Sequence, residues 1–217
     1  MNKGMLPSMA YLKEACVETL EQAIAAEKKG ADRLELCADL QLDGLTPSEK
    51  LIKAVLKNIN IPLRVMIRPR CGNFLYSKQE LNEIEAAMLT CKAMGIQGVV
   101  FGALKEDKCL DIEVITSLSR LASPMSFTVH KAIDQTPDLL KSLKELSGIK
   151  GISGILTSGG AKTAFEGRDV LKRMIQTAPE SIEIIAAGRI TADNLPRLHA
   201  FLDGPAYHGK QIVGKLK

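Results

Sequence analysis

The sequence predicts an α/β chain folded as a (β/α)8 TIM barrel whose final helix is short or missing, and three observations carry that expectation. Eight strand-like apolar segments alternate with seven stretches of helical periodicity, at about 25 to 30 residues per unit, an order that demands parallel strands and right-handed crossovers. The turn after the first strand, Val17-Glu18-Thr19, has none of the glycines that a dinucleotide-binding doubly wound sheet needs there. A chain of 217 residues can bury a sizeable core and still lies in the range of one domain. Residues 1–10 read as a flexible N-terminal segment and residues 11–217 as the barrel.

Taken in order, Tyr11 to Val17 reads as a short strand, and Glu18 to Lys29 carries apolar residues at helical spacing until Gly30. Ala31 to Cys37 is the second strand, and Ser48 or Thr46 caps the helix that runs to about Asn58. Pro62 to Pro69 forms the third strand, followed by a long helix from Ser77 to Met94 with Ser77 and Glu80 as a capping box. Gly98 to Gly102 is strand four, with a helix from about Asp111 to Leu121; Ser126 to His130 is strand five, with a helix from Pro137 to Leu146. Gly151 to Leu156, Ser181 to Ala187 and Ala206 to His208 supply the last three strands, separated by helices over Phe165 to Thr177 and Ala192 to Ala200. Only nine residues follow His208, too few for a full eighth helix, so an exposed apolar flank or a homodimer contact is expected near the first and last strands.

Apolar residues at 46% and charged residues at 25% place the chain with soluble globular proteins. The net charge of +4 is modest, lysines and arginines are interspersed with acids, and aromatics are only 4% without tryptophan, so nucleic acid is not an expected partner. Cys16, Cys37, Cys71, Cys91 and Cys109 are odd in number and widely spaced, which fits free thiols in a reducing cytoplasm better than a secreted disulfide framework. The first ten residues lack the longer apolar core of a secretory signal, and no run approaches the roughly 20 apolar residues of a membrane span.

Side chains of a barrel strand alternate between the interior and the helix layer. Glu14 and Cys16 share a face of strand one, and Glu35 and Cys37 share a face of strand two. A carboxylate is rarely buried against the helix layer, so both Glu-x-Cys pairs should point into the barrel, where neighbouring strands about 4.8 Å apart bring the thiols together. Soft sulfur ligands in a dry site suit Cu(I) and not Mg or Ca, which require oxygen. The bland reading is that each cysteine is a small core residue. The same parity points Arg64, Met66 and Arg68 inward on strand three, and Thr128 and His130 on strand five.

These inward groups allow a second chemistry. Glu14 and Glu35 could act as acid and base on a small anionic, sugar-like molecule, with Arg68 and Arg70 anchoring its charge and His130 polarising a carbonyl or hydroxyl. Asp134, four residues after His130, could fix its tautomer or meet the same ligand. The turns at Ser158-Gly159-Gly160 and at Gly188 offer backbone N–H groups to an anion, and His208 ends the last strand at the mouth. His199 reads as a surface or satellite residue. Structural neutralisation among Glu14, Glu35, Arg68 and His130 is the plain alternative.

The segments Arg33 to Ala38, Leu45-Thr46-Pro47-Ser48, Met66 to Ser77, Val100 to Leu104, Leu156 to Gly160 and Tyr207-His208-Gly209 together resemble the CutC family, over residues from about 12 to 209. The resemblance implies a cytoplasmic TIM barrel linked by name to copper homeostasis, with Cys16 and Cys37 as Cu(I) ligands and no firmly assigned reaction. Departures are specific. Cys71 and Asn73 stand where the family usually has glycine and aspartate, Lys131 and Ile133 replace arginine and phenylalanine, and Ala186-Ala187-Gly188-Arg189 replaces Pro-Gly-Gly-Gly. Ala206 stands where a glutamate is usual, and the family's extension after the last strand is missing.

Overall fold

The computed structural model describes residues 11–216; the N-terminal segment 1–10 lies outside them. Eight parallel strands close in sequence order into a barrel. They are β1 (Leu12–Val17), β2 (Arg33–Leu36), β3 (Leu63–Met66), β4 (Gly98–Phe101), β5 (Ser126–Val129), β6 (Ile152–Thr157), β7 (Glu183–Ala186) and β8 (Ala206–Gly209). The helices are α1 (Leu20–Lys28), α2 (Glu49–Asn58), α3 (Lys78–Ala93), α4 (Ile112–Ala122), α5 (Leu139–Ser147), α6 (Arg168–Thr177) and α7 (Leu195–Leu202). No described helix is long and apolar enough to cross a membrane.

Local chemistry sets the boundaries. Thr19, Ser48, Asp111 and Asp138 cap their helices by accepting from backbone N–H groups, and Ser77 with Glu80 forms a full capping box at the start of α3. Most strands are shorter than the apolar runs that mark them, while β6 equals its run in length and β8 extends to Gly209. Between helices and sheet lies one large core that includes Leu34, Leu63, Phe101, Phe127, Ile155 and Tyr207.

Beyond β8 the chain crosses the flank between α7 and α1. Ile212 is buried, Val213 and Leu216 pack against the core, and Lys29 donates to the Lys215 carbonyl at 2.7 Å. The exposed large apolar side chains among the described residues are Leu42, Leu89 and Phe201, and none belongs to β1 or β8. The expected bare apolar flank is therefore covered in part by the residues that follow β8.

The strand registers sort the inward side chains into layers of four drawn from alternate strands. Cys16, Met66, His130 and Ala187 form one layer. Beneath it lie Glu35, Val100, Leu156 and His208, and beneath those Glu14, Arg64, Thr128 and Ile185. The β6–β8 side is apolar, with Leu156, Ile185, Ala187 and Ala206 in one cluster. Charge gathers on the β1–β3 side. Arg33 is bound to Glu14 and, at 2.7 Å, to Glu183, while Arg64 lies 3.3 Å from Glu14. Removing one member of a buried charge network leaves the others unmatched. Glu14→Gln should therefore cost about 3–5 kcal/mol, read as a lower urea midpoint at unchanged slope; a midpoint like that of the wild type would show that Glu14 does not hold the barrel floor.

Candidate functional site

The C-terminal ends of β1 and β2 bring the two cysteines together. Cys16 and Cys37 Sγ lie 3.9 Å apart, and both sit near Glu35 Oε2, at 3.4 and 3.5 Å. Both cysteines are buried in a cluster with Leu40, Met66 and Val100. The orientation expected from strand parity is found: both Glu-x-Cys pairs face the interior. All five cysteines are free. The ligand atoms of Cys16, Glu35 and Cys37 lie within 4.8 Å of one another, as do those of Glu14, Glu35 and His208.

Electrostatics separates these groups. The Cys37 thiol hydrogen bond, opposed by burial and helped by His208, brings Cys16 down to about 5, while the same bond and burial raise Cys37. Burial pushes Glu35 up to about 8 despite the nearby His208. Glu14 is equally buried, yet the His208 hydrogen bond and the charges of Arg33, His208 and Arg64 hold it at about 2. Burial opposes charge on His208, but Glu35, Cys16 and Glu14 raise its pKa well above the ordinary value. Its Nδ1 lies 2.9 Å from Glu14 Oε1 and its Nε2 3.7 Å from Glu35 Oε2, so the imidazolium joins the two carboxylates deep in the barrel, below the mouth.

The other sequence-derived residues have their own partners. Arg68 donates to the carbonyls of Leu42 at 3.0 Å, Gly44 at 3.3 Å and Gly72 at 3.0 Å, tying together the loops that follow β2 and β3. Arg70 is bound to Glu80 and donates to the carbonyls of Cys71, Asn73 and Leu75. Asp134 accepts from Thr157, from the backbone and hydroxyl of Ser158, and from Gly160 N. The anion held by that glycine turn is thus the chain's own carboxylate. The carbonyl of Gly188 accepts from Ala164 N at 2.9 Å, and Gly159 approaches Gly167 so closely that a side chain there would strike the Gly167 carbonyl.

His130 stands apart from the carboxylates. Its Nδ1 accepts from Ala132 N at 3.1 Å, its ring meets that of Phe74 at a tilt of 51° with centroids 4.8 Å apart, and a Cβ on Gly102 would lie 2.6 Å from Nδ1. Only glycine at 102 lets the ring lie there. Burial and the Arg68 charge push its pKa down to about 3. His199, expected at the surface, is buried, with Nδ1 2.7 Å from the Tyr207 hydroxyl. Sequence reasoning missed Arg33 and Glu183, although Arg33 shares its strand face with Glu35 and Cys37.

With this geometry in view, a family model described as the CutC family matches residues 11–209. The human copper homeostasis protein cutC homolog is 41% identical over 188 residues, covering 87% of this chain and 68% of that protein. A CutC family protein of Histophilus somni is 42% identical over 181 residues, covering 83% and 74%. A crystal structure of a Streptococcus agalactiae protein described as CutC superposes with a TM-score of 0.88 at 31% identity, covering 93% of this chain and 99% of that one.

The depressed His130 pKa has a measurable consequence. The unfolded chain takes up a proton on this imidazole below the usual 6.5 while the folded chain resists it until about 3. Its contribution is complete above pH 6.5 and is lost as pH falls toward 3, by at most about 1.4 kcal/mol per pH unit. The stability gap between wild type and His130→Asn should accordingly narrow in urea melts between pH 6.5 and 4.5. A gap independent of pH would show that His130 is not held neutral.

Proposed function

The chain belongs to the CutC family, and on that premise we propose that it serves copper homeostasis in the cytoplasm by holding Cu(I) between Cys16 and Cys37. One observation carries this reading: two buried thiols 3.9 Å apart at the C-terminal ends of adjacent barrel strands. Thiolates select soft ions, and metal–sulfur bonds of about 2.3 Å let one ion touch both sulfurs. Cys16, already brought to about 5, is ready as a thiolate, and binding would displace the Cys37 proton. Glu35 Oε2 is the oxygen nearest the pair, and the Met66 thioether packs in the same cluster. Copper is cargo in this reading, and no reaction is required of the barrel.

A second reading, an enzyme acting on a small anionic, sugar-like molecule, is favoured by one specific feature. Two inward carboxylates have pKa values driven apart, Glu14 to about 2 and Glu35 to about 8, a separation that often marks acid–base pairs. Glu14 is committed to Arg33, Arg64 and His208, so Glu35 and His208 would move the proton. Arg70 and the Gly159-Gly160 turn are engaged within the chain, which leaves Arg68 Nε and His130 Nε2, the atoms without a partner, to meet substrate.

Competition against a chromophoric Cu(I) chelator, under anaerobic reducing conditions, separates the two readings. The wild type should take one Cu(I), and Cys16→Ser or Cys37→Ser should weaken it more than about 100-fold. Equal affinity in the double variant would sink the copper reading and leave the second.

A further inference from the structure

Buried side-chain polar atoms in native proteins are rarely left unpaired. The unpaired ones among the described residues are Glu35 Oε1, Arg68 Nε, Tyr76 Oη, Thr128 Oγ1 and His130 Nε2. They fall on the part of the barrel built by β2, β3, β5 and the loop before α3. Three of them gather at the mouth around two phenylalanines. The Arg68 guanidinium lies 5.0 Å from the Phe74 ring centre and the His130 ring 4.8 Å from it. Phe101 lies 5.6 Å from the Tyr76 ring and 6.3 Å from that of His130.

All three atoms are hydrogen-bond donors. Arg68 Nε–H can only donate. His130 Nδ1 accepts from Ala132 N, which puts the neutral ring's proton on Nε2. Burial keeps the Tyr76 phenol protonated by raising it to about 12, with Arg68 acting against that rise. Arg33 and Arg64 face carboxylates, whereas Arg68, only 3% exposed, has no carboxylate within 4.0 Å among the described residues. A buried guanidinium whose other nitrogens are spent on neutral carbonyls, beside two further unused donors, lacks a negative oxygen.

We propose that Arg68 Nε, Tyr76 Oη and His130 Nε2 form a site for a small oxyanion, carboxylate or phosphate, at the mouth over β3 and β5. A cavity of about 340 Å³ adjoins the site at Tyr76, its wall carrying Lys105 alongside the carboxylates Glu106 and Asp111. The site is independent of copper at Cys16 and Cys37. It deepens the small-anion reading, and rests on it only in the choice of ligand class.

The test is calorimetric titration of the full chain with inorganic phosphate and, separately, with acetate, at fixed ionic strength against a chloride control. One equivalent of either anion should bind, and the preferred one tells a tetrahedral ligand from a planar one. Tyr76→Phe deletes one hydroxyl and keeps the ring, so its Tm should lie close to that of the wild type, yet it should bind about tenfold or more weakly. The double Cys16→Ser, Cys37→Ser variant should bind like the wild type. Binding without turnover of any anionic substrate supports the site and counts against the enzyme reading alone. Absence of binding by both anions, or equal affinity in Tyr76→Phe, overturns the site and leaves the copper reading untouched.

Discussion

A carboxylate at the centre of a closed barrel must be matched by positive charge, and the arrangement around Glu14 governs what the rest of the interior can do. Arg33, Arg64 and His208 all meet it, and Glu183 shares both arginines from the opposite wall. The His208 hydrogen bond and the charges of Arg33, His208 and Arg64 together outweigh the burial that would otherwise neutralise Glu14. With Arg33 and Arg64 committed below, Glu35 one layer above has only a share of His208, and burial prevails there. Two carboxylates from adjacent strands thus acquire opposite tendencies from one uneven distribution of arginines. The thiols inherit the consequence: they sit beside the carboxylate that is reluctant to ionise, which keeps their surroundings poor in negative charge.

The fold was legible in the sequence because the alternation of strand and helix leaves few topologies, and the caps at Ser48 and Ser77 are local chemistry that tertiary packing did not override. The thiol pair was legible for a different reason. Period two along a strand fixes which residues share a face, and Glu14 and Glu35 could hardly face the helix layer. The same rule applied to Arg33, which shares parity with Glu35 and Cys37, and to Glu183, which sits at the start of β7. Their pairing depends on which strands close the barrel against each other, which no local pattern records. His199 was misplaced because its helix turns that face toward β8, the strand that follows it, where the Tyr207 hydroxyl is its partner. The glycine turn offered its amides to an anion as its sequence indicates, but nothing local could reveal that Asp134 would supply the carboxylate.

Arg68 joins two otherwise separate parts of the mouth. By donating to carbonyls of the loop after β2 and of the loop after β3, it ties down the covers of the thiol cluster, where Leu40 and Cys37 themselves lie on the first of those loops. Cys16 and Cys37 are 5% and 1% exposed beneath this covering. On the β6–β8 wall Leu156, Ile185, Ala187 and Ala206 pack together as one apolar cluster.

The departures from the usual CutC pattern fall where the structure can absorb them. Asn73, in place of an aspartate, accepts from Arg70 at 3.1 Å and from Leu75 N at 3.4 Å through one carbonyl oxygen, a job that needs no negative charge. Cys71 is exposed and far in character from the buried thiols, so it adds reactivity to the loop and not a ligand to the interior. Arg189 takes the left-handed backbone that the family's glycine would adopt freely, at φ +57°, and its carbonyl is held by Asn194 at 2.9 Å. Ala206, where a glutamate is usual, faces the apolar cluster in the layer below Glu14. A carboxylate there would draw on the same arginines that now serve Glu14 and Glu183. Losing it leaves those cations wholly to the pair that remains, and the barrel floor stays matched.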